Sequence, residues 1–281
     1  MNKQQSEIRE QQKASWDKSS HGWKKWDAFT MNFLKPMGDG IILLLDTQPG
    51  QHVIDIATGT GEPGLTIAKM VPDARVTGVD ISEGMMNVAM EKAMAAGLTN
   101  YEAVVADVCN LPFPDNSIDN ISCRFGFMFF PDMLLAVTEM YRVLKPGGHI
   151  ATCVWDNAEA NFWVTAMSLS VKKFIEIPPP PPGSPGAFRC AAPGYMRDLL
   201  QTAGFYAVRE KKIEGQVIYD SPQHYWTLTN EISPTLMAIM EKADEPTKLA
   251  IKNDLFERLD KHITQGILPM NYTAIMLYGK K

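Results

Sequence analysis

The sequence predicts an α/β fold in which helices cover both faces of a largely parallel β-sheet. Two observations predict it. Short apolar strand segments alternate with helical segments from residue 52 to residue 155, as in parallel strands joined by right-handed crossovers. The first of these strands runs into a glycine-rich turn and then directly into a helix, an arrangement typical of the ligand-binding corner of doubly wound sheets.

The composition is that of an ordinary globular protein and argues against several classes. Of 281 residues, 45% are hydrophobic and 21% are charged, and the net charge of −5 gives no field that attracts nucleic acid. The longest aliphatic run, Ile41–Leu45, is too short to span a bilayer, and residues 1–13 lack the apolar core of a signal peptide. The four cysteines show no metal-ligand spacing. We therefore expect a cytoplasmic protein with no metal, membrane span or nucleic-acid partner.

The glycine-rich turn lies within residues 53–64. Gly59 and Gly61 permit positive φ and a close approach of a ligand to the backbone. Pro63 suits the first helical position, where its missing N–H is not needed. The glycine spacing also fits the dinucleotide fingerprint, with Asp80 as the acid that follows it. The motif alone therefore leaves two cofactors open, NAD and S-adenosylmethionine.

The rest of the regular sheet follows in order. Four more strands are predicted at residues 75–80, 101–105, 118–123 and 149–155. A helix capped by Ser82 and ended by Gly97 lies between the second and third strands. Another helix begins near Asp132 and must end before Pro146, because the residue before a proline avoids the helical region.

The flanking segments do not continue this alternation of strands and helices. Residues 1–30 predict a helix with three tryptophans on one face, either packed on the core or forming an aromatic lid over the cofactor. Residues 178–186 are too proline-rich for a regular element. Strands at 205–213 and 272–278 complete a sheet of seven. The sequence predicts six segments. They are a helical lid (1–45), the cofactor-binding core (46–156), a cap insertion (157–193), a second part of the core (194–220), a helical cap insertion (221–268) and the last core strand (269–281).

With these motifs the chain resembles the class I S-adenosylmethionine-dependent methyltransferases, especially the branch near the ubiquinone/menaquinone biosynthesis methyltransferases. The matching pieces cover residues 52 to 155 in the family's order: 53–61 (VIDIATGTG), 78–82 (GVDIS), 106–108 (ADV), 111–113 (LPF) with Asp119, and 142–148 (RVLKPGG). The resemblance implies a Rossmann-like seven-stranded methyltransferase sheet with helices on both faces and a helical cap built from insertions. It implies S-adenosyl-L-methionine as cofactor and S-adenosyl-L-homocysteine as product.

The resemblance also implies a set of cofactor-binding residues. Asp80 would accept the ribose hydroxyls, and Arg124 would lie near the methionine carboxylate or the acceptor. Asp55 would fix the turn or bind the methionine ammonium through water. The others are Ala57, Gly59 and Gly61 at the methionine end, and Ile81, Met85, Ala106, Asp107 and Val108 around the adenine. Two alternatives stay open, since Asp107 also suits a cap and Met85 also suits the core.

The acceptor side is less clearly marked. The two insertions are rich in aromatic and methionine side chains, which favours a small, largely apolar or aromatic acceptor. Candidate bases are His21, His224 and Asp156, although each histidine also suits a surface or structural role. Candidate pocket residues are Trp26, Trp155, Arg189 and Tyr195. Three other functions stay open: an NAD-dependent oxidoreductase, a non-catalytic S-adenosylmethionine-binding protein, and a methyltransferase acting on tRNA or protein.

Overall fold

A computed structural model of the protein describes residues 3–181 and 183–281. Over these residues the chain forms a seven-stranded sheet in the order β3-β2-β1-β4-β5-β7-β6. The strands are β1 (His52–Ile56), β2 (Arg75–Asp80), β3 (Tyr101–Val105), β4 (Ile118–Arg124), β5 (Leu144–Trp155), β6 (Tyr206–Tyr219) and β7 (Leu268–Lys280). The remaining three residues, Met1, Asn2 and Pro182, belong to the predicted lid and proline-rich segments and lie outside the described residues.

Helices join these strands and cover the sheet. They are α1 (Lys3–Lys25), α2 (Asp27–Leu45), α3 (Gly64–Met70), α4 (Glu83–Ala95), α5 (Met133–Val143), α6 (Phe162–Phe174), α7 (Tyr195–Thr202), α8 (Pro222–Ile232), α9 (Pro234–Lys242) and α10 (Glu245–Asp260). The helices α6, α8, α9 and α10 lie in the two segments predicted to be insertions, and α10 packs against both α6 and α8. In the part of the chain that the structure describes, no helix is both long enough and apolar enough to cross a membrane.

The predicted seven-stranded α/β sheet is confirmed, with one difference in strand direction. Neighbouring strands from β3 to β5 are parallel, but β7 runs antiparallel to both β5 and β6. The central strands are near-continuous apolar runs because helices bury both of their faces. The predicted caps are also present, since the side chain of Ser82 accepts from Met85 N and that of Asp132 accepts from Leu135 N.

Some predicted boundaries were wrong. The structure begins β5 at Leu144 rather than residue 149, ends β6 at Tyr219 rather than residue 213, and begins β7 at Leu268 rather than residue 272. The hairpin of β6 and β7 stays paired beyond the end of β5, and most of β6 is exposed, so its sequence lacks a buried pattern. Pro63 is the residue before α3 rather than its first residue.

The prediction that residues 1–30 are helical is confirmed over residues 3–30, but in two helices rather than one. The helix breaks at Trp26, where ψ is 13°, and α2 then continues through Pro36 to Leu45. The two helices differ in how they pack. The buried face of α2 is apolar, including Met37 and Ile41, whereas the buried residues of α1 are only Ser19 and Gly22 within its described span. The α1 helix therefore depends on polar contacts for much of its attachment.

These polar contacts include a row of ion pairs along α1. Four lysines of α1 form ion pairs with carboxylates on three other helices. The pairs are Lys13–Glu83 and Lys24–Glu91 with α4, Lys25–Glu231 with α8, and Lys18–Glu241 with α9. All four pairs are largely exposed to solvent. Exposed ion pairs are screened by salt, so the attachment of α1 depends on ionic strength.

We predict that raising NaCl from about 0.1 M to about 1 M loosens α1 selectively, because the Debye length shortens from about 10 Å to about 3 Å. The measurement is backbone amide hydrogen exchange, which should accelerate in α1. The control is α5, whose buried residues are apolar and whose exchange should not accelerate. Equal responses of α1 and α5 would contradict the prediction.

A close contact in the sheet gives a second test. A Cβ added to Gly78 in β2 would lie 2.1 Å from the Oη atom of Tyr101, a residue that is itself buried in β3. We predict that Gly78→Ala lowers the free energy of unfolding by about 1–3 kcal/mol through overpacking. Gly186→Ala is the control, because its added Cβ meets no atom within 4 Å. The two denaturant midpoints should differ, and coincident midpoints would contradict the packing argument.

Candidate cofactor and acceptor site

Most of the predicted site residues lie at one edge of the sheet. The sheet order reverses direction between β1 and β4, so a crevice opens at the carboxyl ends of these two strands. Open α/β sheets bind ligands at such a switch point. The glycine-rich turn follows β1, and Arg124 ends β4 beside it.

The carboxylate of Asp55 fixes the glycine-rich turn through hydrogen bonds. Its Oδ2 atom accepts hydrogen bonds from Thr58 Oγ1 (2.6 Å) and Gly64 N (3.0 Å), and its Oδ1 atom accepts from Ser122 Oγ (2.6 Å). The residue is 0% exposed, and burial raises the pKa of its carboxyl above the ordinary value. Of the two roles open from the sequence, this geometry supports fixing the turn.

Asp80 holds the same turn from the end of β2. Its Oδ2 atom accepts from Gly59 N and its Oδ1 atom from Ser82 N, both at 2.9 Å. Burial raises the pKa of Asp80 to about 6. Gly59 and Gly61 have φ of 54° and 104°, as predicted, and a Cβ added at Gly59 would meet no atom within 4 Å. Open space therefore lies beside Gly59, within reach of the Asp80 side chain.

The predicted adenine side lies after β3. Asp107 caps its own turn through one oxygen, since Oδ1 accepts from Cys109 N at 2.9 Å. The Oδ2 atom lies 3.5 Å from Arg9 Nη1 of α1. Ala106 N donates to Asp80 O at 3.0 Å, which links this turn to β2. Val108 and Met85 are buried, and Ile81 is half-buried. The capping role of Asp107 is therefore present in the structure, with one oxygen directed toward α1.

Arg124 carries a half-buried charge at the end of β4. Burial lowers the pKa of its guanidinium, and the nearby carboxylates of Glu62, Asp55 and Asp27 partly oppose that shift. Its Nη2 atom contacts Met31 Sδ at 3.4 Å, but among residues 3–181 and 183–281 it forms no ion pair. A half-buried guanidinium without a carboxylate partner suits an anionic ligand group.

Two helices, α1 and α2, cover this edge through contacts that the sequence analysis did not predict. In α1, Asp17 Oδ1 accepts from Ser82 Oγ (2.6 Å) and Gly84 N (2.9 Å) at the start of α4. In α2, Asp27 Oδ1 pairs with Lys92 Nζ (2.8 Å) and accepts from Thr60 Oγ1 (3.4 Å) in the glycine-rich turn. These contacts join residues far apart in the chain, so no local pattern signals them.

Two of the predicted pocket residues, Trp155 and Trp26, make contacts with other rings. Trp155, at the end of β5, stacks on Phe125 with ring centroids 4.0 Å apart and meets Trp163 of α6 edge-on at 5.1 Å. Trp26 donates from Nε1 to Glu231 Oε2 and stacks on His224 at 5.2 Å. These rings are apolar surfaces at the edge where the glycine-rich turn lies.

The two other predicted pocket residues lie around the proline-rich segment. Arg189 donates from Nη1 to the carbonyl oxygen of Phe130, and its Nε atom is buried without a partner within the described residues. Tyr195 begins α7 and is 38% exposed.

The three predicted bases do not converge. His21 is exposed on α1. Asp156 has a buried carboxylate whose oxygens pair with Lys212 Nζ (2.6 Å) and accept from Asn157 N (2.8 Å). His224 lies beside Trp26, with Nδ1 3.1 Å from Asp220 Oδ2. The carboxylate of Asp156 is therefore engaged in an ion pair.

Part of the chain matches a known protein family. Residues 53–148 match the profile of a family described as "Methyltransferase domain". The demethylmenaquinone methyltransferase of Listeria welshimeri is 41% identical over 119 residues, which are 42% of this chain and 50% of that relative. The chain thus spans about half the length of the curated relatives it matches.

Two solved structures share the fold. The YcgJ protein of Bacillus subtilis has a TM-score of 0.59 at 20% identity, covering 88% of this chain and 98% of its own. Phosphoethanolamine N-methyltransferase 2 of Haemonchus contortus, solved with phosphomonomethylethanolamine and S-adenosylhomocysteine, has a TM-score of 0.54 at 16% identity, covering 88% and 52%. Residues 53–148 therefore match a methyltransferase domain, and these two likenesses show that the chain shares the fold of the two solved structures.

Proposed function

We propose that the protein transfers the methyl group of S-adenosylmethionine to a small, largely apolar or aromatic acceptor by in-line displacement. The observation that carries this proposal is the glycine-rich turn, held by Asp55 and Asp80 at the switch point, with open space at Gly59. S-adenosylmethionine is the cofactor of the family, and when bound it supplies an electrophilic methyl group on a sulfonium.

The residues at this edge suit each part of that cofactor: the ribose, the methionine end and the adenine. Asp80 accepts the ribose hydroxyls, and Arg124, half-buried and without an ion pair in the described chain, receives the methionine carboxylate. Backbone carbonyls of Ala57 and Gly59 receive the ammonium, and Gly61 allows the turn to pack closely on Leu65. The adenine side is formed by Ile81, Met85, Ala106, Asp107 and Val108.

The acceptor lies, in this proposal, beside the stacked rings of Phe125 and Trp155. These rings provide a flat apolar surface at the carboxyl edge, which suits an aromatic acceptor and excludes water. The curated relatives are named demethylmenaquinone methyltransferases, which supports a quinone-like ring as the acceptor class. Trp26, Arg189 and Tyr195 remain proposed as outer parts of this pocket.

In this proposal the protein accelerates the reaction mainly by aligning the acceptor with the methyl group. Holding the acceptor in line with the methyl group can lower the barrier by about 7–11 kcal/mol at the limit. The closed aromatic surfaces and the fixed turn are the parts of this chain that provide that alignment. The three predicted bases stay predictions, and the ion pair of Asp156 with Lys212 makes it the weakest of them.

The test is methyl transfer from tritium-labelled S-adenosylmethionine. Demethylmenaquinone, reduced to its quinol, serves as the small acceptor, with tRNA and total protein in parallel reactions. We expect label in the solvent-extractable quinol product. Label that appears only in tRNA or protein would contradict the small-acceptor proposal, and bound cofactor with no labelled product would indicate a non-catalytic binding protein.

We predict that Asp80→Ala weakens S-adenosylhomocysteine binding by about 1–3 kcal/mol, because charged hydrogen bonds to the ribose are lost. Asp73→Ala is the matched control, since Asp73 is an exposed aspartate just before β2. Isothermal calorimetry measures both. An unchanged affinity in Asp80→Ala would remove the ribose role of this residue.

The raised pKa of Asp80 gives a pH dependence with a definite sign. Its folded value of about 6 exceeds the ordinary value of 3.8, so its contribution to the free energy of unfolding is present below pH 3.8 and lost as pH rises through 6. Ribose hydroxyls bind best to the ionised carboxylate. We therefore predict that S-adenosylhomocysteine affinity increases from about pH 5 to about pH 7. Calorimetry across this range should find the increase abolished in Asp80→Asn, and an unchanged slope would contradict the assignment.

A further inference from the structure

A cavity of about 590 Å³ lies at the amino edge of the sheet, opposite the edge that holds the glycine-rich turn. One side of this amino-edge cavity is formed by His52, Arg75 and Glu102, at or near the starts of β1, β2 and β3. The other side is formed by Phe113 and the prolines that flank it, in the connection between β3 and β4. The proposed methyl transfer uses none of these residues.

The cavity lies where a crossover helix is missing. Residues 106–117, all of them described, join β3 to β4 without forming a helix, although β2 and β1 separate these two strands in the sheet. Parallel strands are usually joined by a helix that covers one face of the sheet. Here a loop covers that face only in part, and Glu102 and Val104 of β3 are half-buried.

The polar side chains of the amino-edge cavity form one hydrogen-bonded network with Thr77 of β2. Thr77 Oγ1 donates to Glu102 Oε1 at 2.7 Å, and Arg75 donates to the same oxygen from Nη2 (2.6 Å) and Nε (3.0 Å). His52 Nε2 lies 2.9 Å from Thr77 Oγ1. Because Thr77 gives its one hydroxyl hydrogen to Glu102, its oxygen accepts from His52. We therefore assign the ring hydrogen to Nε2 and a lone pair to Nδ1.

The charge states of this network follow from its surroundings. Burial lowers the pKa of His52, and the charge of Arg75 lowers it further, so the imidazole is neutral at pH 7. Burial opposes the ionisation of Glu102, but hydrogen bonds from Thr77 and Arg75 hold its pKa below the ordinary value. The charges of Arg75 and Glu102 balance, so the network as a whole favours a neutral ligand over an ion.

Three polar atoms of the network form no hydrogen bond within residues 3–181 and 183–281. His52 Nδ1 and Glu102 Oε2 are acceptors, and Arg75 Nη1 is a donor. Two of these residues are half-buried and Arg75 is exposed, so a ligand can reach all three atoms. The rest of each side chain is already fixed by the network, which lowers the cost of ordering these atoms around a ligand.

The ring of Phe113 provides an apolar surface beside these atoms. It makes a T-shaped contact with the His52 ring, with centroids 6.1 Å apart and an angle of 83°. Arg142 Nη1 donates to the Phe113 carbonyl oxygen at 2.9 Å, and Ser117 Oγ donates to the Pro114 carbonyl oxygen at 2.7 Å. These bonds fix the loop. Phe113 is half-buried, so part of its ring is free to contact a ligand.

We propose that the amino-edge cavity binds a small, neutral heteroaromatic ring that carries an amino group beside a ring nitrogen. The amino group donates one hydrogen to His52 Nδ1 and the other to Glu102 Oε2, and the ring nitrogen accepts from Arg75 Nη1. The ring itself packs on Phe113. Small-molecule sites commonly have volumes of about 300–1,000 Å³, and this cavity falls within that range. An aminated nucleobase is a ring of this class.

This site is separate from the one proposed for the cofactor. β2 begins at Arg75 in the cavity and ends at Asp80 beside the glycine-rich turn. A rise of about 3.3 Å per residue along the strand places the two α-carbons about 16 Å apart. A ligand in the amino-edge cavity therefore leaves the cofactor side free, and its binding is independent of the proposed function.

The test compares adenine with purine, which lacks the amino group, by calorimetry on protein saturated with S-adenosylhomocysteine. Saturation blocks both probes from the proposed cofactor site. We expect adenine to bind about tenfold tighter or more, the value of one well-placed hydrogen bond to a charged group. Glu102→Gln should abolish that preference. Its amide oxygen stays toward Thr77 and Arg75, so an amide N–H donor replaces the acceptor Oε2.

Two further variants sharpen the comparison. Glu214→Gln is the matched control, because Glu214 is exposed on β6 at the other end of the sheet, and it should keep the preference. His52→Phe should reduce the preference by about threefold or more, since Nδ1 is lost. A cooperative thermal unfolding transition shows that each variant is folded.

The outcomes separate this site from the proposed function. Absence of adenine binding, equal binding of adenine and purine, or a preference that survives Glu102→Gln would overturn the amino-edge site. Failure of S-adenosylhomocysteine to bind would overturn the proposed function alone. In that case adenine and purine are compared on the free protein, and a preference that depends on Glu102 still supports the site.

Discussion

The carboxylate of Asp55 is the constraint on which the site depends. It reaches three separate parts of the chain: the turn through Thr58, the start of α3 through Gly64, and the neighbouring strand β4 through Ser122. The turn is thereby tied to both strands that border the crevice. Gly59 N can then point at Asp80 in β2. A rigid turn of this kind presents its backbone to a ligand without having to reorganise when the ligand binds.

The two halves of the site use different physical chemistry. The proposed cofactor half consists of backbone turns and ionisable groups, among them Asp55, Asp80 and Arg124, and the desolvation of the two buried carboxylates makes their hydrogen bonds strong and geometrically specific. The proposed acceptor half consists of stacked and edge-on rings around Trp155. A charged half that fixes one reactant and an apolar half that holds the other fit a displacement in which alignment matters most.

The turn and caps of the proposed cofactor half could be predicted from the sequence because their signals are local. The strand before the glycine-rich turn, the Ser82 cap and the positive φ of Gly59 are each set within a few residues. The contacts of Asp17 and Asp27 could not be predicted, because they join residues more than thirty positions apart. The pairing of Asp220 with His224 is local, at i and i+4, and could have been found; the stacking of Trp26 on His224 depends on the tertiary fold.

The most direct measurement of the central claim is an NMR titration of the Gly59 and Gly61 backbone amides. If the turn held by Asp55 and Asp80 cradles S-adenosylmethionine, both amide resonances should shift saturably with S-adenosylhomocysteine and stay unchanged with NAD. Shifts produced by NAD, or S-adenosylhomocysteine binding that leaves both glycine amides unmoved, would contradict the account.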